Sequence, residues 1–144
     1  NLIARYFSWT QEQAIVNYLA SVGSAPITLI GHSFGATTAI EIAADASTTI
    51  NRTINLLITV DPVGRFVSTR DLVNAAANTD RWVNITSNPL SRDRTDEVAF
   101  IGTKIGDRVS DYADVSYWAT GMHHGEFYGM LTKACPGFMQ GGGC

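Results

Sequence analysis

Charge is scarce in this chain. Asp, Glu, Lys and Arg make up 16% of its 144 residues, and the formal net charge is −3. The ten Lys and Arg residues are scattered without a patch, which argues against a nucleic-acid partner. No apolar run approaches the ~18 residues of a membrane span. No charged-then-apolar leader opens the chain, and no internal repeat or low-complexity linker divides it. The chain starts at Asn1 rather than Met, as expected for a processed product or a domain cut from something longer. Hydrophobic content of 45% is ordinary for a globular protein. The length suits one domain, so residues 1–144 read as a single unit with a real core.

Cysteine and histidine are also rare. The two cysteines, Cys135 and Cys144, are confined to a C-terminal tail, 134–144, around a Pro-Gly and a Gly-Gly-Gly stretch. No histidine lies near them, so a metal site is not expected there, and no cofactor motif is present. A disulfide would pin the tail and point to a secreted or extracytoplasmic setting. Two free thiols on a loose tail are the other reading. The three histidines are His32, His123 and His124. Asn51-Arg-Thr53 and Asn84-Ile-Thr86 fit the glycosylation sequon, a pattern common by chance.

The most informative segment that is present is Gly31-His32-Ser33-Phe34-Gly35, a G-x-S-x-G. Before it stands Pro26-Ile27-Thr28-Leu29-Ile30, short, apolar and β-branched, which predicts a central parallel strand buried on both faces. After it, Phe34 to Ala44 carries Ala36, Ala39, Ile40 and Ala43 at helical spacing. A serine at such a strand-to-helix turn is lifted out of the sheet with its hydroxyl exposed. Glycines on both sides are expected to avoid clashes as strand and helix close.

The rest of the chain alternates between the two periods. Thr10 to Gln13 predicts a capping box for a helix running to about Val22 and stopping at Gly23. A second buried strand is predicted at Ile54–Val60, and a short helix from Arg70 to Ala77 capped by Ser68 or Thr69. A third strand is predicted at Arg81–Thr86. The polar stretch Ser87–Glu97 reads as a loop. Val98–Tyr117 is ambiguous, with strand-like fragments at Val98–Thr103 and near Val115. A last helix starts around Gly125 and carries Phe127, Met130 and Leu131. Strands alternating with helices predict an α/β fold, a three-layer αβα sandwich with a mainly parallel sheet.

A serine hydroxyl is a poor nucleophile alone. It needs a base, and the base needs an orienting carboxylate. At an elbow of this kind the chain order is Ser, acid, His. His32 sits inside the elbow, with its side chain expected to point away from Ser33. That leaves His123 and His124 as the base. The acid belongs just past the C-terminal end of a later strand. Asp61, directly after Val60 and before Pro62, fits best. Asp93 and Asp96 are its rivals.

Three segments resemble the lipase and esterase branch of the α/β-hydrolase superfamily. Gly31-His32-Ser33-Phe34-Gly35-Ala36 is similar to the G-H-S-x-G-[GA] elbow. Leu57–Pro62 resembles the strand-then-Asp-Pro segment that carries the acid. His124-Gly125-Glu126-Phe127-Tyr128-Gly129 resembles the H-x-x-[YF]-[FY]-G segment around the base, and selects His124 over His123. The resemblance implies a small or truncated α/β-hydrolase fold and hydrolysis of ester or lipid-like small molecules by Ser33, Asp61 and His124. It puts the first oxyanion donor at the amide of Phe34. The second donor in that family comes from a loop upstream of the first helix here, so 1–9 would be a remnant of an upstream strand or oxyanion loop. Thioesters, phospholipids and amides suit the same elbow, and a catalytically inactive binding domain is the reading from another class. Phe7, Trp9, Phe66, Trp118 and Phe127 are candidates to line an acyl pocket, or simply to fill the core.

Overall fold

A computed structural model describes residues 3–140 and Cys144. The elements run α1 (Glu12–Ser21), β1 (Thr28–His32), α2 (Phe34–Ala44), α3 (Ala46–Thr49), β2 (Leu56–Val60), α4 (Thr69–Ala77), β3 (Trp82–Asn88), α5 (Arg94–Ile101), α6 (Gly106–Ser110), β4 (Val115–Thr120) and α7 (Phe127–Ala134). The four strands form one all-parallel sheet in the order β1-β2-β3-β4. The architecture is therefore α/β, as expected.

Period-two alternation along the strands builds two cores. On one face Leu57 and Trp82 pack with Ala39 and Ile40 of α2, Leu72 of α4 and Val109 of α6. On the other, Ile58, Val60, Val83 and Ile85 pack against Met130 and Leu131 of α7. Helices thus cover both faces. The first face also holds a polar ladder. Trp82 Nε1 donates to Thr59 Oγ1, which donates to Asn84 Oδ1, and Asn84 Nδ2 donates to the Gly106 carbonyl. Asn84 is fully buried by this network, so its sequon is closed in the folded chain.

Several expectations are corrected. The strand before the elbow lies two residues later than predicted. It is also an edge strand among the described residues, with Thr28 and Ile30 exposed rather than buried on both faces. Thr10 does not cap α1. Gln11 stands at the N-cap without a side-chain capping bond, and its side-chain oxygen accepts the Ser8 N–H instead while Thr10 pairs with the Ser8 hydroxyl. Gly23, at φ +62°, follows the helix end as expected. Part of the predicted loop Ser87–Glu97, and Val98–Ile101 of the strand-like Val98–Thr103, belong to α5. There a capping box joins Asp93 at the N-cap to Asp96 at N3. Such a cap is worth about 1 kcal/mol, and it outweighs the weak strand preference of Val98 and Ile101. Of the expected remnant, Asn1 and Leu2 lie outside the described residues, and residues 3–9 form no strand. The second helix, the Ser68 cap of α4 and the final helix stand close to where they were predicted.

Candidate active site

β1 and β2 end at one level while β3 runs on to Asn88, and the site grows from these ends. Registry pairs His32 with Val60, and Val60 with Ile85. Ser33 and Asp61 follow directly, and Ser87, two residues past Ile85 and still within β3, bonds to Asp61 at the same carboxyl edge of the sheet. This is where open α/β sheets place their sites. The loop after β4 brings His124 to the same edge.

Ser33 adopts φ 58° and ψ −125°, a conformation that side chains rarely occupy and that surrounding structure must impose. Its N–H donates to the Val60 carbonyl, and its carbonyl accepts from the Val63 N–H. Gly31 allows the sharp turn. A Cβ there would lie 2.3 Å from the Gly35 carbonyl oxygen and 2.5 Å from the Ala36 Cα. Gly35 is different, and the expected symmetry fails: a Cβ on it would meet only the Trp9 Cβ, at 3.9 Å. The clash is one-sided because the turn folds the helix backbone over Gly31.

The three residues are joined by hydrogen bonds. Ser33 Oγ lies 3.0 Å from His124 Nε2. His124 Nδ1 lies 2.6 Å from Asp61 Oδ2. Asp61 is fully buried and itself has positive φ, 44°. It accepts further bonds from the Ser87 N–H (3.0 Å), the Ser87 hydroxyl (2.7 Å) and Lys104 Nζ (3.0 Å). Burial pushes its carboxyl up, but the His124 bond, the Lys104 charge and Ser87 together hold it below the usual carboxylate range. A hydroxyl, an imidazole and a fixed carboxylate so connected can take a proton from the serine and hand it to a leaving group.

The loop carrying His124 is tied down from four directions. Asp96 Oδ1 accepts its N–H at 2.9 Å, and His32 Nε2 meets its carbonyl at 2.8 Å. Thr95 Oγ1 accepts the Gly125 N–H, and Glu126 accepts the His123 N–H. His32 also stacks on the His124 ring at 4.8 Å and on Phe127 at 5.4 Å. Burial lowers its pKa, against the hydrogen bond to the His124 carbonyl, which raises it. The ring forms one wall of the site.

Asp96, a rival for the acid, serves the other histidine. Its Oδ2 lies 2.6 Å from His123 Nδ1, a pair that does not reach Ser33 because His123 faces the N-terminus of α5. The Asp96 bond raises the His123 pKa. Asp93 caps α5, and its carboxylate lies 3.6 Å from His123. Asp93, Asp96 and His123 bring potential metal-ligand atoms within 4.8 Å of one another, yet hydrogen bonds already engage each of them.

The aromatic candidates do not share one pocket. Trp9 packs on Phe34 at 5.3 Å, Phe7 packs on Tyr18, and Phe66 stands in solvent. A cleft of about 310 Å³ beside His124 is lined instead by Arg94, Thr95, Val98 and Gly125. Sequence reasoning passed over Lys104 and Ser87. Ser87 follows the β3 core and could have been sought by its place at the strand end, but nothing in the sequence around Lys104 marks it. The cysteines are joined as Cys135–Cys144. Among the described residues no helix is long and apolar enough to cross a membrane. Comparison with family models, curated proteins and solved structures gives no match to this chain.

Proposed function

We propose that the chain is a serine hydrolase of the lipase and esterase kind, built on a small α/β-hydrolase fold and cleaving carboxylic esters. The observation that carries this reading is the unbroken chain from Ser33 Oγ through the His124 ring to buried Asp61, with Ser33 at positive φ. Ser33 Oγ attacks the ester carbonyl as His124 Nε2 takes its proton. Asp61 holds the ring by Nδ1 and stabilises its charged form. Phe34 and Gly35 open α2, so their amides have no intrahelical acceptor and lie at the positive end of the helix. The Phe34 amide stabilises the oxyanion. The alcohol leaves with the His124 proton, and water repeats the sequence on the acyl-enzyme. The cleft beside His124 and Val98 gives the substrate an apolar seat.

A panel of p-nitrophenyl esters, with matched thioester, amide and phospholipid substrates, tests the reaction class. Ester turnover that vanishes in a folded Ser33→Ala variant is the expected result. Equal turnover in that variant removes Ser33 from the mechanism. A second reading keeps the fold and gives up the chemistry, as a hydrolase-fold domain that binds. Its support is that residues 3–9 form no strand beside β1 to carry a second oxyanion donor.

A further inference from the structure

Among the described residues one Lys or Arg side chain touches the Ser33–His124–Asp61 chain. Lys104 Nζ lies 3.0 Å from Asp61 Oδ1 and 2.6 Å from Ser87 Oγ. Backbone pairing places it there: Gly64 N–H donates to the Thr103 carbonyl, Ile105 N–H donates to the Pro62 carbonyl, and Val63 pairs with Lys104. The turn that follows β2 is thus stitched to the segment that follows α5. A hydrogen-bond donor would suffice to hold Asp61 Oδ1, and the Ser87 N–H already provides one. A full positive charge adds something else. It competes with the imidazole for the negative charge of the carboxylate.

We propose that Lys104 is a positioning residue of the hydrolase site, holding Asp61 by Oδ1 and sharing its negative charge, and so setting the lower pH limit at which the site works. The assignment rests on the serine hydrolase reading. Burial opposes the ionised form of the carboxylate that holds the imidazole by Nδ1, and the His124 bond and the Lys104 charge favour it. The other titratable and charged groups facing the pair are His32 at the end of β1, Asp96 of α5 behind the His124 amide, Arg94 of α5 across the cleft beside His124, and His123 and Glu126 in the same loop. Among the described residues Lys104 is the one Lys or Arg within ion-pair reach of Asp61. Its side chain is 26% exposed and borders a cavity of about 220 Å³ with Asn88, Arg92 and Phe100. A replacement side chain therefore has room.

The test is the rate of Ser33 modification by a fluorophosphonate probe, followed from about pH 5 to pH 9 in wild type and in Lys104→Met, Lys104→Gln and Lys104→Arg, with thermal unfolding of each in parallel. Gln keeps a donor and drops the charge, Met drops both, and Arg keeps the charge. The acidic limb of the profile should move up by about one pH unit in the Met and Gln variants, and stay near its wild-type position in the Arg variant. Met and Gln profiles that overlay a normally reactive wild type overturn the role of Lys104 and leave the hydrolase reading standing. A folded wild type that takes no probe on Ser33 overturns that reading, and the role of Lys104 with it.

Discussion

Two adjacent histidines in this molecule each face an aspartate at 2.6 Å, yet the two pairs differ in almost every other respect. His124 and Asp61 are buried, and the imidazole reaches Ser33 with its far nitrogen. His123 is half-buried, and Asp96 holds it at the N-terminal turn of α5. Asp61 stands past the end of a central strand, pinned by Ser87 and Lys104. Asp96 is a helix-capping residue that also accepts the His124 N–H. A short His–Asp contact is therefore no mark of catalysis by itself. On the serine hydrolase reading, a third group within reach and the burial of His124 and Asp61 make one pair a proton relay and leave the other a brace. The brace still serves the relay, because one carboxylate joins both histidines.

Removing each carboxylate sharpens the contrast most. Asp61→Asn should lower kcat by about 10³ to 10⁴, the scale seen when a hydrolase triad loses its acid and the imidazole takes the wrong tautomer. Asp96→Asn leaves the proton path intact but loosens the His124 loop, so a fall of about tenfold is expected, with KM little changed. Steady-state kinetics on a p-nitrophenyl ester separates the two. Equal losses would mean that Asp96 does more than brace.

Stability against pH separates the pairs more gently. Asp61 and Asp96 are held below the usual carboxylate range. They contribute stability that is complete above the unfolded value near pH 4 and is lost as pH falls through the folded values. His123 has the opposite sign. Its pKa is raised in the fold, so its contribution is complete below about pH 6.5 and fades as pH rises through the folded value. Its exposure and solvent screening keep that contribution small. Urea midpoints should fall between about pH 5 and pH 3 in wild type. Asp96→Asn should already be weakened at neutral pH, by on the order of 1–3 kcal/mol, and should fall less steeply in acid. A variant as acid-sensitive as wild type would place the sensitivity elsewhere.

How much of this was legible in the sequence varies along the chain. α2 could be read from Phe34 to about Ala44, because a small-residue face and the glycine-flanked serine speak locally. Asp61 could be named because an acid belongs at a strand end; chain order narrowed the base to His123 or His124, and the resemblance to the lipase segment chose His124. α5 was hidden. Its start lies in a polar stretch that resembles a loop, and its body has a β-branched residue at each end, so only the pairing of Asp93 with Asp96 reveals it. Lys104 was out of reach, since its partner is 43 positions away in sequence (104 − 61 = 43) and a backbone pairing between two loops brings them together. The edge position of β1 was also invisible. Composition tells how apolar a strand is, and says little about whether a neighbour pairs with each of its sides.

The central claim, that Ser33 is activated by His124 and not by His123, is met most directly by fluorophosphonate labelling followed by peptide mass spectrometry on wild type, His124→Ala and His123→Ala. The account predicts a Ser33 adduct in wild type, its loss in His124→Ala, and its retention in His123→Ala. Loss in His123→Ala with retention in His124→Ala, in folded proteins, would contradict it.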